Sequence, residues 1–174
     1  MIHPFELVEY FKDNSIKFYS GVPDSLTYKL CSYIEEVSLC NNARIEFLPA
    51  AHEGIAVSYA LGSYLANGNP GVVFMQNAGL GNILNPIVSI ADAGVFDLPI
   101  VLLVGWRGKP GSKDEPQHLR QGSITRELLF NMGFNVVEVD SEMNMAKLAD
   151  KISISADCWR NSKLSLLFEK DSIA

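Results

Sequence analysis

At 174 residues the chain has the size of one domain able to bury a single core, and its 48% hydrophobic and 20% charged content is that of an ordinary globular protein. A formal net charge of −6 leaves no basic stripe to neutralise phosphates, which argues against a nucleic-acid partner. Apolar runs such as IVLLVGW at 100–106 are too short to span a bilayer, and the N-terminal MIHPFELVEYFKDN is acidic and amphipathic, unlike a signal peptide. A cytoplasmic protein with no membrane partner is expected. Cys31, Cys40 and Cys158 are odd in number and widely spaced, so they suggest neither a zinc site nor a disulfide framework.

Taken in order, Phe5, Val8 and Phe11 recur at helical spacing behind Pro4, and IKFYSGV (16–22) follows as a strand. Asp24 or Ser25 is placed to cap a helix reaching about Val37, with Leu26, Leu30, Tyr33 and Ile34 on one face. RIEFLP (44–49) is a second strand. It leads into a nearly charge-free helix over 52–67, destined for the interior, with Glu53 in its first turn and His52 a polar neighbour without an assigned role. Strands at 71–76, 98–105, 134–140 and 163–170 then alternate with helices at 81–94, 123–132 and 143–161. Their apolar residues come in blocks, as in strands covered on both faces. The pattern predicts an α/β fold: a doubly wound, mainly parallel six-stranded sheet flanked by helices. The one long irregular stretch is GWRGKPGSKDEPQHLRQG (105–122).

In such a sheet ligands gather beyond the carboxyl ends of the strands. SGVPDS, PAAHEG, QNAGLGN and the 105–122 loop all follow strands, so four unusual loops share that edge. A first-turn glutamate is favoured by the helix dipole whatever its function; its apolar setting and the company of the other loops single out Glu53. Gly79 and Gly81 let backbone approach a ligand and open a helix whose amides attract electron-rich groups, although a tight strand-to-helix turn accounts for them equally. No G-x-G-x-x-G and no G-x-x-x-x-G-K-[ST] occurs, which disfavours dinucleotide and P-loop readings. Gln76 and Asn77 are either ligand contacts or satisfied strand-end amides.

The order GVP (21–23), HEGIAVSYA, NAGLGN and ADAGVFDLPIVLLVG resembles the pyrimidine-binding domain of thiamine-diphosphate enzymes. Within that family, FYSGVPDS and GWRGKPGSKDEPQH resemble the phosphonopyruvate decarboxylase branch, with the sulfopyruvate decarboxylase α branch second. The resemblance spans roughly residues 5–140 and is specific through the four motifs jointly. It implies that Glu53 hydrogen-bonds N1′ of the cofactor's aminopyrimidine, so that N4′ takes the proton from the thiazolium C2 and the cofactor becomes an electron sink for loss of CO2. It implies cofactor contacts from Pro23, Gln76, Asn77, Gly79, Gly81 and Asn82. Asp24 falls where related decarboxylases place an acid near substrate, helix capping being the alternative. His118 falls where some handle protons or substrate. Ser25, Arg107, Lys109, Lys113 and Arg120 are positioned to meet a phosphonate or sulfonate, or to be merely solvated beside Asp114 and Glu115.

The family holds the cofactor's diphosphate through Mg2+ on a second domain carrying a GDG motif, and this chain contains no GDG. The resemblance therefore implies one pyrimidine-binding domain over 1–174, no metal ligand on this chain, and the diphosphate half supplied by a β subunit or C-terminal domain in a homo- or hetero-oligomer. The chain alone is expected to be inactive. A non-catalytic scaffold subunit of the same fold is the rival, and an intact Glu53 argues against it.

Overall fold

A computed structural model describes residues 1–40, 44–155 and 162–174. Cys158 and the last turn expected for the final helix, 156–161, lie outside the described residues. The elements run α1 (Pro4–Asp13), β1 (Phe18–Gly21), α2 (Tyr28–Ser38), β2 (Glu46–Pro49), α3 (Glu53–Asn67), β3 (Val72–Gln76), α4 (Leu80–Ser89), β4 (Ile100–Gly105), α5 (Pro116–Asn131), β5 (Asn135–Val139), α6 (Met145–Ser155) and β6 (Lys163–Phe168). The six strands form one sheet in the order β2-β1-β3-β4-β6-β5, and every pairing is parallel.

Alternation along the central strands sorts side chains to two faces. Val72 and Phe74 join Val101, Leu103, Leu164 and Leu166 in a core roofed by α1, α2 and α6. Val73 and Met75 join Leu102, Val104 and Leu167 beneath α3, α4 and α5. Each such buried side chain contributes about 1.5–3 kcal/mol, whereas a surface pair such as Lys12–Glu9 contributes at most about 1 kcal/mol. The two apolar faces therefore hold the sheet. Strand β2 departs from the expected double cover: it lies at the sheet edge and is largely exposed.

Several helices differ from expectation for identifiable reasons. In α1, Phe5 is 58% exposed, while Leu7, Val8 and Phe11 form the buried stripe. At 3.6 residues per turn Phe5 lies about 120° around the helix from Phe11, the stripe's centre. Neither Asp24 nor Ser25 caps α2, whose N-cap is Thr27; Asp24 instead closes a tight turn by accepting from the Leu26 N–H at 2.9 Å. Helix α3 has a buried side (Ala56, Val57, Ala60, Leu61) but also exposes Tyr59 and Leu65, so it is not wholly interior. His52 proves to be its N-cap, with Nδ1 accepting from the Gly54 N–H at 3.1 Å. Helix α4 stops at Ser89 instead of 94, and turns closed on Asp92 follow it.

The largest difference concerns the 105–122 stretch. Helix α5 begins at Pro116, so the loop is only 106–115, and His118 and Arg120 are helical. Pro116 suits a first helical position, while Gly122 costs about 1 kcal/mol in a helix interior and masks the helical pattern. Gly122 is tolerated because the loop lies against the helix there. A Cβ on Gly122 would stand 1.8 Å from the Gly108 carbonyl oxygen, and one on Gly108 (φ +67) would stand 2.1 Å from the His118 carbonyl. The Trp106 indole N–H closes the contact, donating to the Gly122 carbonyl at 2.9 Å. Gly122→Ala is thus expected to destabilise the protein by about 1–3 kcal/mol, as overpacking does, measured by urea unfolding.

Candidate functional site

With all strands parallel, the loops after β1, β2, β3, β4 and β6 emerge along one edge, and side-chain contacts knit them together. The β3–α4 turn is a short 3₁₀ segment, Asn77–Gly79, running directly into α4. Asn77 is buried. Its amide donates to the Arg107 carbonyl at 2.9 Å and Thr125 Oγ1 at 2.8 Å, and its carbonyl accepts from the Arg107 N–H at 3.2 Å. These bonds brace β3–α4 against β4–α5. Gln76 donates to Asp24 Oδ1 at 2.8 Å. Asp24 is buried between the ends of β1 and β4, and a Cβ on Gly105 would stand 2.1 Å from its Oδ2.

Glu53 sits at the first position of α3, half-buried. Asn82 donates to its Oε2 at 2.8 Å, joining α3 to α4. No hydrogen bond among the described residues uses Oε1. Gly79 makes room for this carboxylate: a Cβ there would stand 2.5 Å from the Glu53 carboxyl carbon and Oε1. Around Gly81, by contrast, a Cβ would meet nothing within 4 Å. Pro23 is exposed on the neighbouring loop.

The cations of the β4–α5 loop are mostly engaged. Arg107 Nε and Nη2 donate to the two oxygens of Asp114 at 2.8 and 2.5 Å, and Nη1 donates to Ser25 Oγ at 3.0 Å. The Gly108 and Glu115 N–H groups also donate to Asp114, at 2.7 and 2.8 Å. Those hydrogen bonds, Arg107's first among them, hold the Asp114 carboxyl well below the usual carboxylate range against the opposing effect of burial, and Asp114 raises the Arg107 pKa in return. Lys109 pairs with Glu169 and lies 5.4 Å from the centre of the Trp106 ring. Lys113 is exposed.

Ser25, Arg107, Lys109 and Lys113 line one cleft of about 360 Å³, and so does Lys170, which the sequence reading missed because it follows β6, far along the chain. His118 is not part of that lining; its Nδ1 is buried without a partner among the described residues. A larger groove of about 840 Å³ between α5 and β5 contains none of the candidate residues, so volume alone does not mark the site. No described helix is long and apolar enough to cross a membrane.

This geometry, a half-buried glutamate opening a helix beside a glycine-built turn on a parallel-sheet edge, coincides with the outcome of comparison with known proteins. The chain belongs to the family described as "Thiamine pyrophosphate enzyme, N-terminal TPP binding domain", which matches residues 6–129. It is 35% identical over 131 residues to phosphonopyruvate decarboxylase of Streptomyces viridochromogenes, covering 74% of this chain and 30% of that protein. It is 38% identical over 111 residues to phosphonopyruvate decarboxylase of Streptomyces hygroscopicus, covering 63% of this chain and 25% of that one. Against sulfopyruvate decarboxylase subunit alpha of Methanococcus maripaludis it is 26% identical over 148 residues, 83% of each chain.

Two expectations follow from the site geometry. In Gly79→Ala the added methyl should push Glu53 off Asn82 while stability changes by less than about 1 kcal/mol, since the displaced group is the end of a half-exposed side chain; side-chain amide NMR of Asn82 with urea unfolding checks both. Because the folded-state pKa of Asp114 is depressed, its stabilisation is complete above the ordinary carboxylate range and disappears only as pH falls through the lowered value. Hydrogen-exchange protection of the Gly108 and Glu115 amides should therefore persist from neutral pH to about pH 4 and fail only in stronger acid.

Proposed function

We propose that this chain supplies the pyrimidine-binding half of a thiamine-diphosphate-dependent 2-oxo acid decarboxylase, converting 3-phosphonopyruvate to phosphonoacetaldehyde and CO2. The observation that carries the reading is Glu53: a carboxylate at a helix start, oriented by Asn82 through one oxygen, with the other lacking a partner among the described residues and Gly79 leaving room for the carboxylate. These residues fit an aminopyrimidine, whose ring nitrogen needs one acidic partner and whose close approach needs a turn without side chains. When bound, the cofactor supplies the electron sink for loss of CO2.

In this reading Glu53 would hold the aminopyrimidine ring through its Oε1, and its half-buried position would strengthen that hydrogen bond. Asp24 has both oxygens engaged, by Gln76 and the Leu26 amide, which fixes the carboxyl group at the β1 end, where it would face substrate. Support for His118 as a proton handler is narrower: it rests on the buried, unpartnered Nδ1. Gly81, Pro23 and Asn82 would frame the cofactor, and the cationic cleft would meet the phosphonate.

Sulfopyruvate is the alternative substrate, favoured by the near full-length match to an α subunit. That relative's name also supports a partner subunit for this chain; in this reading the partner would bring Mg2+ and the diphosphate site. Exposed Tyr59 and Leu65 on α3, Leu84 and Val88 on α4, and Val95 and Phe96 beyond it offer that partner an apolar surface.

The test is to combine the chain with a diphosphate-domain partner, thiamine diphosphate and Mg2+, and to follow CO2 release from phosphonopyruvate and sulfopyruvate. Glu53→Gln should lower kcat by about 10²–10⁴-fold, the usual worth of a proton-transferring side chain, with an unchanged melting curve. Near-full activity of that variant would overturn the role.

A further inference from the structure

Four cationic side chains line the 360 Å³ cleft, Arg107, Lys109, Lys113 and Lys170, against two carboxylates, Asp114 and Glu169. Both carboxylates are already committed, Asp114 to Arg107 and Glu169 to Lys109. Lys113 and Lys170 are exposed and have no ion-pair partner among the described residues. The cleft therefore keeps an excess of two positive charges in a chain whose net charge is −6. That local reversal of sign suits an anion of the size of a tetrahedral oxyacid group.

Asp114 is engaged on every side. Its Oδ1 accepts from Arg107 Nη2 and the Glu115 amide, and its Oδ2 accepts from Arg107 Nε and the Gly108 amide. Four donors fill a carboxylate's acceptor capacity, so Asp114 has none left for a ligand. What it does is hold the guanidinium as a rigid fork, so that the Nη1 edge points to Ser25 of the β1–α2 loop, another residue lining the cleft. A guanidinium held as a fork is pre-organised, so it loses less side-chain freedom when an anion binds than an unheld arginine would.

We propose that Asp114 is the positioning residue of a substrate-tail site: it fixes Arg107 so that Nη1, with Lys113 and Lys170 of the same cleft, receives the phosphonate or sulfonate of the 2-oxo acid. Ser25 Oγ accepts the Nη1 hydrogen bond until the tail oxygen replaces it. This rests on the decarboxylase reading for its substrate, but the anion site itself is measurable without turnover.

Two measurements test it. In the assembled enzyme, Asp114→Asn should raise KM for phosphonopyruvate by about 10–100-fold, the worth of a charge-assisted hydrogen bond, with a much smaller change in kcat. The ratio of kcat/KM for phosphonopyruvate over pyruvate should fall by a similar factor. Lys113→Gln and Lys170→Gln, exposed and without a part in the fold, should lower the same ratio. On the full chain, phosphonoacetate titrated against the Arg107 Nε–H resonance should bind wild type and weaken in all three variants. Equal losses for both substrates would make Asp114 a mere loop staple and overturn the assignment, as would phosphonoacetate binding untouched by the lysine variants. Phosphonoacetate binding with the expected variant pattern, but no decarboxylation of any 2-oxo acid, would uphold the tail site and refute the enzyme reading instead.

Discussion

Parallel pairing obliges each strand to return through a crossover before the next begins, and in this chain the obligation holds for all six. Every loop that leaves a strand's carboxyl end is consequently delivered to one edge, whatever its position in sequence. Ser25, Glu53, Gly79, Arg107 and Lys170 meet there although 145 residue positions separate the first from the last. The obligation is enforced by the two apolar faces of the sheet. A strand shifted by one residue would turn Val73 and Met75 toward the wrong helices and forfeit their burial.

On that edge the protein treats two carboxylates in opposite ways. Asp114 is saturated with donors and held ionised, which makes it a fixture of the loop. Glu53 is given one side-chain partner, a helix start and a glycine beside it, which leaves an oxygen for other chemistry. The contrast is a matter of satisfied hydrogen-bond capacity more than of burial, since neither residue is fully enclosed. Asn77 links the two regions: one buried amide ties the turn that cradles Glu53 to the loop that carries Arg107. Asn77 thus gives the cation loop a direct hydrogen-bonded link to the turn beside Glu53.

Backbone features that the eye passes over do much of this positioning. Gly122 looks like a helix breaker in sequence, yet its lack of a side chain is what lets the 106–115 loop press onto α5. His52 looked like a neighbour of the catalytic candidate without a task; as N-cap it sets where α3 begins and hence where Glu53 stands.

All six strands, their order in the chain and the α/β class were legible from the sequence: the buried central strands write their burial directly into runs of Val, Ile, Leu and Phe, and the exposed edge strand β2 falls between two helical patterns. The motif loops and Glu53 were legible too, since loops after parallel strands share an edge by topology alone. Tertiary structure decided what those residues touch. That Asn77 turns inward, that Arg107 is clamped by Asp114, that His118 rides on a helix outside the cleft, and that Lys170 joins it are all consequences of packing between segments distant in sequence. Local periodicity carries no record of such contacts; they exist only once the sheet has brought its strand ends together.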